Sequence, residues 1–342
     1  MPPAWLTTLF PPVRYRPEPG KGHHGPKGYR NLHPFNMPSP LKLLRWRWQV
    51  WTGPRVDHRP DMVPRAVMDV AALRGNRSRA SATWLGHASQ FIQLCGQNIL
   101  LDPVFADRVS PFTWAGPRRE VPLPCKPDDL PRIDLLLITH MHYDHLDFAA
   151  VRRLAGQPGG APRVVVPLGM KLMMEAAGMP SANITELDWW ASVQIGDVRV
   201  FLTPAHHWSN RAPWGDANKV LWGGFLLVGD GLKLWYPGDT GYHPQLFSDM
   251  GEQIGGIDFA FLPIGAYEPR WFLQPQHVNP DESVRIFRHL RVKKAWAIHW
   301  GTFILSDEPI QQPMAELAMA LREQGVSARD FMVPAIGETR WL

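Results

Sequence analysis

The chain has 342 residues, 45% apolar and 20% charged, which fits a globular protein of one large or two ordinary domains and excludes a low-complexity or disordered tract as its main body. No apolar run approaches the roughly 18 residues that span a bilayer, and the opening Met1-Pro2-Pro3-Ala4-Trp5 lacks the basic start and apolar core of a secretory signal. Cys95 and Cys125, with no CxxC spacing, point to a reducing, cytoplasmic setting and not to a disulfide framework.

The net charge of +5 is unevenly placed. Residues 1–79 carry fourteen Lys or Arg against Glu18, Asp57, Asp61 and Asp69, so a basic arm precedes a mildly acidic body. Rich in proline, arginine and tryptophan, these residues read as an N-terminal extension, mostly extended, part of which wraps the folded domain of residues 80–342. Within the arm, Leu41-Lys42-Leu43-Leu44-Arg45-Trp46-Arg47-Trp48-Gln49-Val50-Trp51 interleaves indoles with cations. Such a stretch suits a membrane surface, where indoles sit at headgroup level and cations meet anionic lipid. It equally suits a short helix docked on the body by its tryptophans. Nucleic acid ranks behind both, because nothing here resembles a nucleic-acid module.

Order is expected from Ser81 onward. Phe91–Leu94 and Asn98–Leu101 form a strand pair, and a proline-rich loop, Ser110 to Pro131, leads to Ile133–Ile138, an apolar run that reads as a buried parallel strand. Directly after it come His140, His142, Asp144 and His145, which is a strong metal signal. His140 and His142 can face one ion. Asp144 and His145, at the head of a helix running to Leu154, can face a second. Arg163–Val166 is a strand, and Lys171–Ala177 a helix closed by Gly178.

The second half repeats the scheme. Val198–Thr203 runs into His206 and His207, Leu232–Tyr236 into Gly238-Asp239-Thr240, Ile257–Leu262 into Pro263–Tyr267, and Lys293–Ile298 into His299. A helix from Pro280 to Leu290 opens with proline and acids in its first turn, where both are favoured. A closing helix carries Met314, Leu317, Ala318 and Leu321 and stops at Gly325. Three strands of this half therefore end in a candidate ligand, on the sheet edge where open α/β folds bind their ligands.

The order His-x-His-x-Asp-His, then His, Asp and His, resembles the metallo-β-lactamase superfamily, which implies an α/β fold, an αββα sandwich with two metals at one edge. Trp84-Leu85-Gly86-His87-Ala88-Ser89, Leu187-Asp188-Trp189-Trp190, Asn218–Gly223, Gly238–Tyr242, Leu262–Phe272 and Ala297–Phe303 are similar to the N-acyl-phosphatidylethanolamine phospholipase D family, over about residues 80–342. The resemblance implies two Zn2+ per chain, one on His140, His142 and His207, the other on Asp144, His145 and His299, with Asp239 bridging. His207 takes that role over His206 because it alone precedes a tryptophan, as in the family pattern. Tyr143 and His277 match positions that meet the substrate phosphate or headgroup. For Asp102 two readings stand: an acceptor orienting a zinc-bound imidazole, or a structural turn. His87 is given no ligand role.

The implied chemistry is hydrolysis of a phospholipid by zinc-bound hydroxide attacking phosphorus, with no protein nucleophile. Accordingly there is no Gly-x-Ser-x-Gly elbow and no P-loop. A proton for the leaving group comes from His277 or from water. Asn210 and Trp214 depart from the family's bile-acid site, so that regulation is not expected. A homodimer is implied by the family. Competing expectations are a lactone or carboxylic ester hydrolase on the same site, a di-iron redox protein, and a lipid-binding scaffold with a relic metal site.

Overall fold

The computed structural model describes residues 10–342 except Pro12 and Pro213. The segment Met1-Pro2-Pro3-Ala4-Trp5, expected to form no secretory leader, lies outside the described residues. Elements are numbered in chain order. One sheet is made from β1 (Ser81–Gly86), β2 (Ser89–Leu94), β3 (Gln97–Leu101), β4 (Leu135–Leu137), β5 (Arg163–Pro167), β6 (Ile184–Leu187) and the last strand, β14 (Thr339–Trp341), in the order β14-β1-β2-β3-β4-β5-β6. The other contains β7 (Ser192–Ile195), β8 (Val198–Thr203), β9 (Gly224–Gly229), β10 (Leu232–Tyr236), β11 (Ile257–Pro263), β12 (Val292–Ile298) and β13 (Phe331–Met332), in an unbroken run from β13 to β7.

The strands alternate between two cores, as a period of two demands. Ile99, Leu101, Leu135 and Leu137 join the core shared by the sheets, while Leu100 and Leu136 point the other way. Both faces of each sheet are therefore apolar and both must be covered. On the outer face of the first sheet lie α3 (Phe148–Ala155), through Val151 and Leu154, and α4 (Lys171–Ala176), through Met173 and Met174. The second is covered by α5 (Pro244–Ile254), α7 (Pro280–His289) and α8 (Gln312–Glu323), which bring Phe247, Ile286 and Leu317. The result is the αββα sandwich. Between β11 and α7 lies a short helix, α6 (Arg270–Leu273).

Two sequence expectations need correction. The strand read as Ile133–Ile138 is paired only over Leu135–Leu137, although it is parallel to β3 and β5 as expected. The helix read as starting at Asp144 starts at Phe148 instead. Asp147 caps it, one carboxylate oxygen accepting from Ala149 and Ala150 N–H while the other accepts from Phe105 and Ala106. Asp144 and His145 consequently stand in the loop before the helix, free of helical geometry.

Between residues 10 and 39 the described arm has no helix or strand; α1 (Pro40–Thr52) and α2 (Val70–Gly75) follow. The arm is tied to the body at specific points. Asp188 accepts from Lys21 Nζ at 2.5 Å, His23 Nε2 at 2.7 Å and His24 Nε2 at 3.2 Å. Glu18 N–H donates to His24 Nδ1, which fixes the proton on Nε2, so this His-His-Asp group is a polar anchor and not a metal nest. Asn31 pairs with both backbone groups of His207, at 2.7 and 3.0 Å. Among the described residues no helix is long and apolar enough to cross a membrane.

Candidate metal centre

The loop after β4, the ends of β8, β10 and β12 and the turn before α7 meet at one edge of the sandwich. The structure brings together all seven residues expected as ligands, in two groups: His140, His142 and His207 with Asp239, and Asp144, His145 and His299, which His87 joins. Asp239 sits between the groups. Its Oδ1 is 3.0 Å from His299 Nε2 and 3.1 Å from His145 Nε2, whereas Oδ2 is 3.9 Å from both His140 and His207 Nε2. His206, by contrast, turns away, toward Phe35 and His243.

Hydrogen bonds at the far nitrogens decide which lone pairs face inward. His145 Nδ1 donates to Asp102 at 2.7 Å, His207 Nδ1 to Gln276 O at 2.9 Å and His140 Nδ1 to Thr139 Oγ1 at 3.0 Å. At His140 and His207 such a bond leaves Nε2 as a bare acceptor pointing at the cluster, and at His145 it aims Nε2 at Asp239. The inner ring nitrogens crowd one another: His140 Nε2 lies 3.0 Å from His142 Nδ1, which lies 3.3 Å from His207 Nε2, and His145 Nε2 lies 3.2 Å from His299 Nε2. Ring nitrogens at such distances need a proton or a metal cation between them.

Charge points the same way. Asp102, Asp144 and Asp239 lie together, and their charged neighbours are histidines alone, with no Lys or Arg ion pair to any of the three among the described residues. Burial opposes the charge on Asp239, yet the imidazoles of His145 and His299 hold its carboxyl well below the usual carboxylate range. Burial keeps His140 and His207 neutral, far below the ordinary histidine value. At His145 burial is outweighed by Asp239, Asp144 and Asp102, which raise its pKa well above the ordinary value. Imidazoles and carboxylates whose charged neighbours are histidines alone, within 4.8 Å of one another in each group, fit divalent cations.

Asp102 takes the orienting role and not that of a plain turn. It accepts from Thr139 N–H, Thr139 Oγ1–H, His145 Nδ1–H and Tyr236 O–H at 2.6–2.8 Å. Two residues with no role assigned from sequence also belong here. His87 is buried, places Nε2 3.1 Å from Asp144 Oδ2, and has its pKa pushed down to about 3 by burial and the neighbouring His299, so a neutral ring donates to that carboxylate. The Arg211 guanidinium lies 4.0 Å from the Tyr143 ring centroid and 4.2 Å from that of Phe148, donating to Met141 O and Leu146 O and so bracketing the ligand loop. His87, Asp102 and His299 all adopt positive φ, a strained setting typical of functional sites.

His277 reaches the rim, with Nδ1 3.7 Å from Asp239 Oδ2, and burial depresses its pKa to about 4. Tyr143 donates its hydroxyl to Arg211 O at 3.1 Å; burial keeps the phenol protonated. Beside Tyr143 opens a cleft of about 420 Å³, lined by Phe112, Leu146 and Phe148 with Arg108 and Arg152 at its edge.

Comparison with known proteins places this geometry. Residues 97–300 match the model of the beta-lactamase superfamily domain. N-acyl-phosphatidylethanolamine-hydrolyzing phospholipase D 1 of Caenorhabditis elegans is 41% identical over 231 residues, 65% of this chain and 64% of that protein. The mitochondrial N-acyl-phosphatidylethanolamine-hydrolyzing phospholipase D of Saccharomyces cerevisiae is 36% identical over 271 residues, 78% of this chain and 56% of its own. The match thus spans less than two thirds of either relative. Among solved structures, Igni18, a metallo hydrolase of Ignicoccus hospitalis, shares the fold at 18% identity with a TM-score of 0.57, covering 78% of this chain and 99% of that one. With the sandwich, the edge cluster and the domain match in agreement, the chain belongs to the metallo-β-lactamase superfamily.

Proposed function

We propose that the protein is a dizinc phosphodiesterase of the phospholipase D type, cleaving N-acyl-phosphatidylethanolamine to phosphatidic acid and an N-acylethanolamine. The observation that carries this reading is the seven-residue cluster, two sets of inward-facing ring nitrogens joined by Asp239, beside an apolar cleft edged with arginines. The names of the worm and yeast relatives support the substrate class.

His140, His142 and His207 would hold one ion, Asp144, His145 and His299 the other, and Asp239 both. Two such ions lower the pKa of a water into the neutral range and offset phosphate charge as it develops. The chain's own residues do the rest. Asp102 and His87 hold His145 and Asp144 in place. His277, neutral at working pH, donates one N–H to a phosphoryl oxygen, and Tyr143 turns its hydroxyl from Arg211 O to the headgroup side. The water oxygen bonds to phosphorus, the phosphorus–oxygen bond to the ethanolamine breaks, and the departing oxygen takes its proton from water. Phe112 and Phe148 receive an acyl chain, with a cytoplasmic protein at a lipid surface as the setting.

Purified protein incubated with N-acyl-phosphatidylethanolamine, a simple aryl phosphodiester and an acyl lactone, with products resolved by mass spectrometry, tests the reading. Phosphatidic acid formed in a zinc-dependent way is expected. Lactone opening with both phosphodiesters untouched would replace it with a carboxylic ester hydrolase.

A further inference from the structure

The outer face of α1 has no protein partner among the described residues. Leu41, Leu44, Trp48 and Trp51 follow the spacing of one helical stripe and are 76%, 64%, 62% and 77% exposed. The opposite side does the docking: Trp46 donates to Asp307 at 2.8 Å and packs on Phe272, and Arg45 lies over Trp271 at 5.0 Å. The docked-helix expectation for this segment is met through Trp46. Trp46 attaches it, and Trp48 and Trp51 are left standing outward, their rings 5.3 Å apart.

We propose that this stripe is a docking face for the surface of an anionic phospholipid bilayer. Lys42, Arg47 and Arg55 are exposed beside it and make no ion pair among the described residues, and residues 40–56 contain no acid. Indoles and leucines flanked by such cations match a headgroup layer over an apolar interior. A second copy of the chain is the weaker occupant. Two-fold pairing of the stripe would set the same cations against each other, with no carboxylate on the helix to relieve them. An acidic protein groove would engage the cations but would leave four large apolar side chains needing a matching pocket.

This proposal does not depend on the reaction assigned to the metal centre. Co-sedimentation of the full chain with vesicles of phosphatidylcholine alone, and of phosphatidylcholine with phosphatidylglycerol, tests it. Wild type is expected to bind the phosphatidylglycerol vesicles. The triple variant L44S/W48S/W51S should bind them about tenfold less or weaker, and K42Q/R47Q should bind them several-fold less. Both variants should keep the wild-type thermal midpoint and zinc content, which separates lost docking from lost fold. Wild-type protein that ignores phosphatidylglycerol vesicles, or variants that bind them as wild type does, would overturn the proposal. So would a triple variant that turns a dimer into a monomer without changing vesicle binding, which would assign the stripe to a second copy.

Discussion

Asp102 lies outside the ligand set yet touches the parts that orient it. Replacing it with asparagine keeps the shape but puts an amide where one oxygen accepts from His145, Thr139 and Tyr236. We expect Asp102→Asn to weaken zinc binding by about 10- to 100-fold in a chelator competition. At Gly238 φ is +64°, and an added Cβ would stand 2.8 Å from the Thr139 Cβ. Gly238→Ala should therefore displace Asp239 and destabilise the fold by about 2 kcal/mol, read by urea denaturation. His206 supplies a pH test outside the ligand set. Burial, then His243 and His33, lower its pKa from 6.5 to about 4. The fold thus favours the neutral ring; its contribution is fully present above pH 6.5 and is lost as pH falls toward 4. Stability measured across that window should fall by about 3 kcal/mol less in His206→Phe than in wild type. At this scale the sequence was informative where chemistry is local, as in the run from His140 to His145. The His87–Asp144 bond and the Arg211 bracket join residues 57 and 65–70 positions apart, which no spacing reveals.

At the scale of elements, α7 and the turn before it place His277. Asn279 accepts from Glu282 N–H, Glu282 accepts from Asn279 N–H and from Arg270, and Arg270 in turn donates to His277 O. This capping box was half visible in Pro280-Asp281-Glu282. Asn279→Ala should cost about 1 kcal/mol in chemical denaturation while zinc content stays unchanged. The strands that end in His207, Asp239 and His299 were legible because each is an apolar run closed by a polar turn. Other elements were not. The run Phe225-Leu226-Leu227-Val228 of β9, just past the Asn218–Gly223 motif, was left unassigned, and α5 was hidden by a polar start and by Gly251, which packs where a Cβ would stand 2.1 Å from His289 O. The start of α3 was misplaced because an aspartate-capped helix and a helix led by Asp144 and His145 look alike until Phe105 and Ala106 bring their N–H groups to Asp147.

For the whole molecule, the basic arm and the metal body are mechanically joined, since Asn31 holds both backbone groups of His207 and Asp188 gathers Lys21, His23 and His24. Composition raised the expectation of an arm partly wrapped on the body, but could not show that Asn31 reaches the backbone of His207, because such contacts are tertiary. Removing residues 1–79 would therefore disturb the centre as well as any surface binding. Stripping the metal should lower the thermal midpoint and restoring zinc should recover it, by linkage worth about 4 kcal/mol when free ion exceeds its dissociation constant about a thousandfold. Two ions held by seven side chains are the core of the proposed chemistry. Diffraction from crystals of the zinc-loaded protein, measured on both sides of the zinc absorption edge, addresses that most directly. Two anomalous peaks are predicted, one among His140, His142 and His207 and one among Asp144, His145 and His299, with Asp239 between them. A cluster without a peak after zinc loading, or zinc found only elsewhere, as at His23, His24 and Asp188, would contradict it.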